Sequence, residues 1–183
     1  MNILDTPLTD LKVVQSTPHH DARGAFTRLF CARELTSLLG GRQIAQINQS
    51  ATTRTGAVRG LHFQYPPHAE MKMVRCLLGR VWDVAVDLRS GSPTFLQWHA
   101  QELTPEDSQM MLIPEGFAHG FQTLEPASEL LYLHTAFYDQ PSEAGLRHDD
   151  PRLAITWPLP PQDLSSRDLT HPLLDDDFTG VEL

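Results

Sequence analysis

From Val81 to Leu88 the chain reads Val-Trp-Asp-Val-Ala-Val-Asp-Leu, so Trp82, Val84, Val86 and Leu88 share one face while Val81, Asp83, Ala85 and Asp87 share the other. A period of two fits a pleated strand and not a helix. Ser90-Gly91-Ser92-Pro93-Thr94 supplies turn chemistry, and Phe95–Leu103 reads as the returning partner. Leu11–Gln15, Phe26–Cys31, Gln43–Asn48, Met73–Leu78, Met110–Ile113 and Leu130–Tyr138 also have strand character. Only Ala32–Leu39 reads as helix, with Leu35, Leu38 and Leu39 at helical spacing and Gly40-Gly41 as its stop. Many short strands divided by Gly and Pro turns predict a mainly β sandwich or barrel.

Beyond Trp157, Pro158, Pro160, Pro161 and Pro172 break regular structure, and this last segment is expected to wrap the barrel as loops and brief turns. At 183 residues the chain is expected to form one domain, residues 1–183, long enough to bury about 70% of its unfolded surface. Cys31 and Cys76 fit no zinc or redox spacing and read as spectators. The opening Met-Asn-Ile-Leu-Asp lacks the basic and apolar segments of a signal peptide, which leads to a cytoplasmic expectation. No run approaches the roughly 20 apolar residues of a membrane span. A formal net charge of -9 argues against nucleic acid as partner. One small anion remains compatible if a few arginines gather in a pocket, and Arg23, Arg59 and Arg167 are the candidates.

Two segments carry histidines in apolar, glycine-bounded runs: Val58-Arg59-Gly60-Leu61-His62-Phe63-Gln64 and Pro114-Glu115-Gly116-Phe117-Ala118-His119-Gly120-Phe121. An isolated histidine in such a setting is ordinarily a hydrogen-bonded core residue. Arg59 and His62 lie three residues apart, so on a regular strand they face opposite ways; Gly60 is a plausible bulge site that would bring them together. Pro114-x-Gly116-x-x-His119 matches the second half of the signature of the cupin barrels. Metal-binding cupins need three or four converging ligands. Here Gln64 stands where a second imidazole is expected, and Lys72 brings an ammonium where a glutamate would help, so no metal is expected.

Together with Asp21-x-Arg23-Gly24-x-Phe26, Gln46-x-Asn48-x-Ser50, Asp83-Val-Ala-Val-Asp87-Leu-Arg89, Ser92-Pro-Thr-Phe95, Tyr132, Tyr138 and Leu164-Ser-Ser-Arg167-Asp168, these segments resemble the dTDP-4-dehydrorhamnose 3,5-epimerase family over nearly the whole chain. The resemblance implies a cupin-type double-stranded β-helix, or jelly-roll barrel, without metal or other cofactor. It implies an isomerase that inverts C3 and C5 of a dTDP-4-keto-6-deoxyhexose in dTDP-L-rhamnose and surface-polysaccharide synthesis. By the same resemblance His62 is the base, oriented by Asp168; Tyr132 is the acid on the opposite face; Lys72 stabilises the enolate oxygen. Arg23, Arg59 and Arg167 would meet the diphosphate. Gln46, Asn48 and Ser50 would give neutral hydrogen bonds, His119 would sit in the sugar pocket, and Phe26, Tyr138 and Glu143 would surround the nucleotide.

Asp83 and Asp87 read as structural, holding a strand and its turn. Arg28 stands where many family members have glutamate, Leu133 where many have lysine, and Ala136 where a polar residue is common. Arg28 therefore reverses a charge at the nucleotide end. The family forms homodimers whose N-terminal strands join the partner's sheet, so Arg23 and Phe26 are expected to serve the partner's site. Competing readings are a single-site 3- or 5-epimerase of another nucleotide sugar, a metal-dependent cupin oxygenase, and a non-catalytic sugar-nucleotide binder.

Overall fold

A computed structural model describes residues 1–183 and arranges them mainly as antiparallel strands. One sheet has six strands: β1 (Asn2–Asp5), β2 (Lys12–Gln15), β5 (Gln46–Thr52), β7 (Lys72–Leu78), β10 (Gln109–Ile113) and β12 (Ser128–His134), in the order β1-β2-β10-β7-β12-β5. The other has five: β6 (Val58–Gln64), β8 (Val81–Asp87), β9 (Trp98–Leu103), β11 (Phe117–Thr123) and β13 (Glu143–Gly145), in the order β13-β6-β11-β8-β9. A separate ribbon joins β3 (His19–Asp21) to β4 (Gly24–Phe26). No helix is long and apolar enough to cross a membrane.

The two large sheets pack face to face. Val74, Met111, Ile113 and Leu130 from the first meet Val81, Ala85, Phe117 and Phe121 from the second in one buried cluster. The Val81–Leu88 alternation divides between this interior and a second layer. Val81 and Ala85 point inward, whereas Val84, Val86 and Leu88, with Trp82 against them, lie under Leu153, Trp157, Leu174, Phe178 and Val181 of the closing segment. A third cluster covers the outer face of the six-stranded sheet, where Leu35 and Leu39 pack on Val14, Met73, Met110 and Leu112.

Several element boundaries differ from the sequence expectation. Phe26–Cys31 is strand only at its start, because β4 ends at Phe26, and the helix expected from Ala32 is confined to α1 (Thr36–Leu39), closed by Gly40 in the left-handed conformation. The partner of β8 begins at Trp98 rather than Phe95: Asp87 accepts from Ser92 Oγ and Thr94 Oγ1 at 2.6 Å each and draws Phe95–Gln97 into the turn. The closing segment is more regular than loops, since it contains α2 (Ser166–Thr170), N-capped by Ser165.

The bulge expected at Gly60 is present. Between the pairs His119↔His62 and Phe121↔Arg59, β6 advances three residues while β11 advances two. Gly60 has φ +117°, and a Cβ there would lie 2.6 Å from Gly120 Cα and 2.7 Å from the His119 carbonyl oxygen. Gly60→Ala is therefore expected to lower stability by about 1–3 kcal/mol through overpacking alone, read as a lower denaturant midpoint at unchanged slope; a wild-type midpoint would show that the strands can part without cost.

Candidate active site

A cavity of about 340 Å³ opens between the sheets, within the size range of small-ligand sites. The five-stranded sheet contributes Arg59, His62, Gln64, His119, Phe121 and Glu143; the six-stranded sheet contributes Gln46, Asn48, Ser50, Lys72, Tyr132 and His134. Glu70, just before β7, and Tyr138, after β12, complete much of the wall.

His62 is half-buried, and its Nε2 lies 2.7 Å from Asp168 Oδ1. The other carboxylate oxygen accepts the Gly60 N–H at 3.4 Å, and the Asp168 N–H donates to Ser165 Oγ at 3.1 Å. Burial is the largest influence on the Asp168 carboxyl and pushes its pKa up, but the bonds from His62, Gly60 and Ser165 and the charge of His62 outweigh it and leave the pKa below the ordinary value. Asp168 is a committed anion. It accepts a hydrogen bond from the Nε2–H, which leaves Nδ1 as the lone-pair nitrogen of the neutral ring. Arg167 Nη2 also approaches His62 Nε2, at 3.3 Å, but a guanidinium has only donors; with the shorter bond to Asp168 claiming that nitrogen, this is a packing contact.

His119 forms a second pair, with Nε2 2.7 Å from Asp83 Oδ1 and both groups buried. Asp83 thus holds an imidazole of the cavity rather than its strand, unlike the expectation; Asp87, bonded to Arg89, Ser92 and Thr94, does hold its turn. Burial raises the Asp83 pKa, and His119 opposes this without cancelling it. The two aspartate–histidine pairs are therefore unlike, and only the one at His62 has a carboxylate held below its ordinary range.

Tyr132 stands edge-on to His119, with ring centroids 6.0 Å apart, and its hydroxyl lies 3.3 Å from Ser50 Oγ. Burial pushes the phenol pKa above its ordinary value, so Tyr132 keeps its proton until a stronger base presents itself. Gln46, Asn48 and Ser50 share one face of β5, paired with His134, Tyr132 and Leu130 respectively. Glu143 Oε2 accepts from both Tyr138 Oη at 2.9 Å and Arg167 Nη1 at 2.8 Å.

Arg23, Phe26 and Arg28 do not join this cavity within the chain. Arg23 pairs with Asp21 on the exposed β3–β4 ribbon, Phe26 is 71% exposed, and Arg28 bonds Glu34 at 2.6 Å. The ribbon pairs with neither large sheet, which leaves these residues on the outside. Leu133 also has no part in the site: it is buried on the outer face with Leu35 and Leu39. Conversely, Glu70 and His134 line the cavity and were missed, although His134 shares strand parity with Tyr132, and Glu70 lies two residues before Lys72. Gln64 proves to be a clamp: its amide donates to the carbonyls of His68 and Phe137 and accepts the Asp139 N–H, fixing the loop that carries Tyr138.

His62, Asp168 and His171 offer ligand atoms within 4.8 Å of one another. The set fits a divalent cation poorly, because the Arg167 guanidinium stands 3.3 Å from His62 Nε2 and 4.0 Å from Asp168 Oδ1.

The sequence model of the dTDP-4-dehydrorhamnose 3,5-epimerase family matches residues 5–176. The chain belongs to this family. The dTDP-4-dehydrorhamnose 3,5-epimerase of Sinorhizobium fredii is 38% identical over 168 residues, 91% of this chain and 86% of that protein. The dTDP-6-deoxy-D-glucose-3,5-epimerase of Legionella pneumophila, solved in complex with dTDP-4-keto-L-rhamnose, superposes with a TM-score of 0.91 at 38% identity, covering 98% of this chain and 97% of that one. A 3'-monoepimerase from Streptomyces bikiniensis in complex with dTDP-quinovose superposes at 0.86 with 28% identity, covering 93% and 86%. The family match and the Legionella pneumophila superposition extend over both sheets and most of the closing segment.

Asp168→Asn keeps the shape of the side chain but loses the anion that accepts the His62 Nε2–H and fixes its tautomer. Turnover is expected to fall severely while nucleotide affinity stays near wild type, checked by steady-state kinetics beside calorimetric dTDP binding. Equal losses in both would make α2 a structural support only.

Proposed function

We propose that the chain inverts C3 and C5 of a dTDP-4-keto-6-deoxyhexose, in the synthesis of dTDP-L-rhamnose. The observation that carries this reading is the placement of His62 and Tyr132 on opposite sheets facing one cavity. Protons at C3 and C5 are acidic because both carbons flank the C4 ketone. His62 removes one; the electron pair moves into an enolate whose charge rests on the C4 oxygen, beside the Lys72 ammonium. Tyr132 then donates its proton to the same carbon from the other side, and both groups re-equilibrate with water. A base on one wall and an acid on the other is what turns exchange into inversion.

Arg59 and Arg167 supply guanidinium forks suited to a diphosphate. Arg59→Ala is expected to weaken dTDP binding by about 1.5–3 kcal/mol, the worth of a hydrogen bond to a charged group. Arg23 and Phe26 complete the site of a second copy in a homodimer. Support for this comes from the β3–β4 ribbon, exposed along its whole length, and from β1, whose four residues are all exposed at the sheet edge. Mixing His62→Ala with Arg23→Ala chains under exchange conditions is expected to restore one working site per heterodimer; continued inactivity would place Arg23 in its own chain's site.

In heavy water with dTDP-4-keto-6-deoxyglucose, solvent deuterium is expected at both C3 and C5. His62→Ala should abolish both exchanges, and Tyr132→Phe should retain exchange while suppressing inversion, because the enolate is reprotonated from the face it lost. Deuterium at one carbon alone would assign a single-site epimerase. Binding without exchange would overturn the assignment.

A further inference from the structure

Lys72 and His134 face each other across β7 and β12, and Glu70 lies between their heads. Lys72 Nζ is 3.0 Å from Glu70 Oε1, and His134 Nδ1 is 2.8 Å from Glu70 Oε2. The Lys72 and Glu70 side chains are only 8% and 9% exposed. On its other edge His134 Nε2 meets Asn48 Nδ2 at 3.3 Å, so the ring with its proton on Nδ1 donates to Glu70 and accepts from Asn48. That ring also lies nearly parallel to Tyr132, at 16° with centroids 6.0 Å apart. The loop carrying Glu70 is anchored by reciprocal bonds between Met71 and Thr135.

We propose that Glu70 and His134 are positioning residues of this site: one buried carboxylate fixes the Lys72 ammonium, and the histidine strung between Glu70 and Asn48 sets the plane of Tyr132. The proposal rests on the epimerase reading for the roles of Lys72 and Tyr132. An ammonium has three donors; Glu70 occupies one, and two remain for a ligand oxygen. Without an anchor, the flexible four-carbon stem would let that charge wander from the developing enolate. Burial, the largest influence on Glu70, pushes its pKa up, yet Lys72 and His134 more than reverse this and leave it at about 2, so the carboxylate stays ionised. Asp83, the other carboxylate near Lys72, is raised by burial, which makes Glu70 the firmer anion.

The test compares wild type with Glu70→Gln, Glu70→Asp and His134→Gln, with dTDP binding as the check on folding. Glu70→Gln is expected to lower kcat roughly 10–100-fold with KM little changed, as for other groups that orient a catalytic side chain; Glu70→Asp should recover part of the loss. His134→Gln should raise the ratio of solvent deuterium uptake to net inversion, since misalignment of Tyr132 returns protons to the original face. Unchanged kcat in Glu70→Gln, or an unchanged ratio in His134→Gln, in proteins that bind dTDP, would overturn the corresponding assignment while leaving the epimerase reading intact. NMR of the unliganded protein reads the anchor without turnover. The two ε-protons of Lys72 should be inequivalent in wild type and merge in Glu70→Gln. Merged signals already in wild type would refute the anchor, whereas resolved signals in a wild type without exchange activity would refute only the epimerase reading.

Discussion

The two sheet strands that carry the histidines approach so closely at Gly60 and Gly120 that neither position has room for a Cβ: at Gly120 a Cβ would sit 2.8 Å from the Arg59 carbonyl oxygen. That contact permits the extra residue on β6, and the extra residue turns Arg59 toward the cavity that His62 also faces. It also turns the Gly60 N–H toward Asp168, where it helps hold the carboxylate ionised. A backbone irregularity of one residue thus brings His62, with its partner Asp168, and the Arg59 guanidinium to one cavity. A regular ladder would have put Arg59 and His62 on opposite faces.

Three imidazoles line the cavity, and each is tied to a different carboxylate: His62 to Asp168, His119 to Asp83, His134 to Glu70. The carboxylates arrive from a helix, a strand and a loop, so their environments differ. Asp168 and Glu70 are held ionised, whereas burial at Asp83 wins over its histidine. Each ring is also oriented, since an imidazole bonded at one nitrogen presents the other in a defined direction. Of the two cations in the cavity Lys72 is paired with Glu70, whereas Arg59 bonds the Thr52 hydroxyl and no carboxylate, in a chain whose formal net charge is -9.

Much of this was legible beforehand, for identifiable reasons. Val81–Leu88 announced itself because a period of two survives whichever face is interior, and the bulge because Gly60 separates two residues that had to cooperate. The family resemblance placed His62, Asp168, Tyr132 and Lys72, which do meet in one region. What was hidden depends on register. Leu133 stood out as a departure in the chain, yet it faces α1, while its neighbour His134 faces the cavity. Parity along β12 separates the two, and parity is read only once one residue of the strand is anchored. Asp83 was misjudged because its partner His119 is 36 residues away, across a strand pair invisible to local pattern.

The pairing of His62 with Asp168 spans 106 residues and joins a central strand to the segment that closes the fold. At a ribosomal pace of about 5–20 residues per second, the histidine is made roughly 5–20 s before its counter-ion exists. Val74, Phe117, Leu130 and strand β13 are themselves made during that interval, and when the last of them is complete the outer face of β8 still lacks its cover of Leu174, Phe178 and Val181. The strands of both sheets are therefore complete before His62 has its carboxylate partner, and that pair closes only when the last stretch of chain has docked.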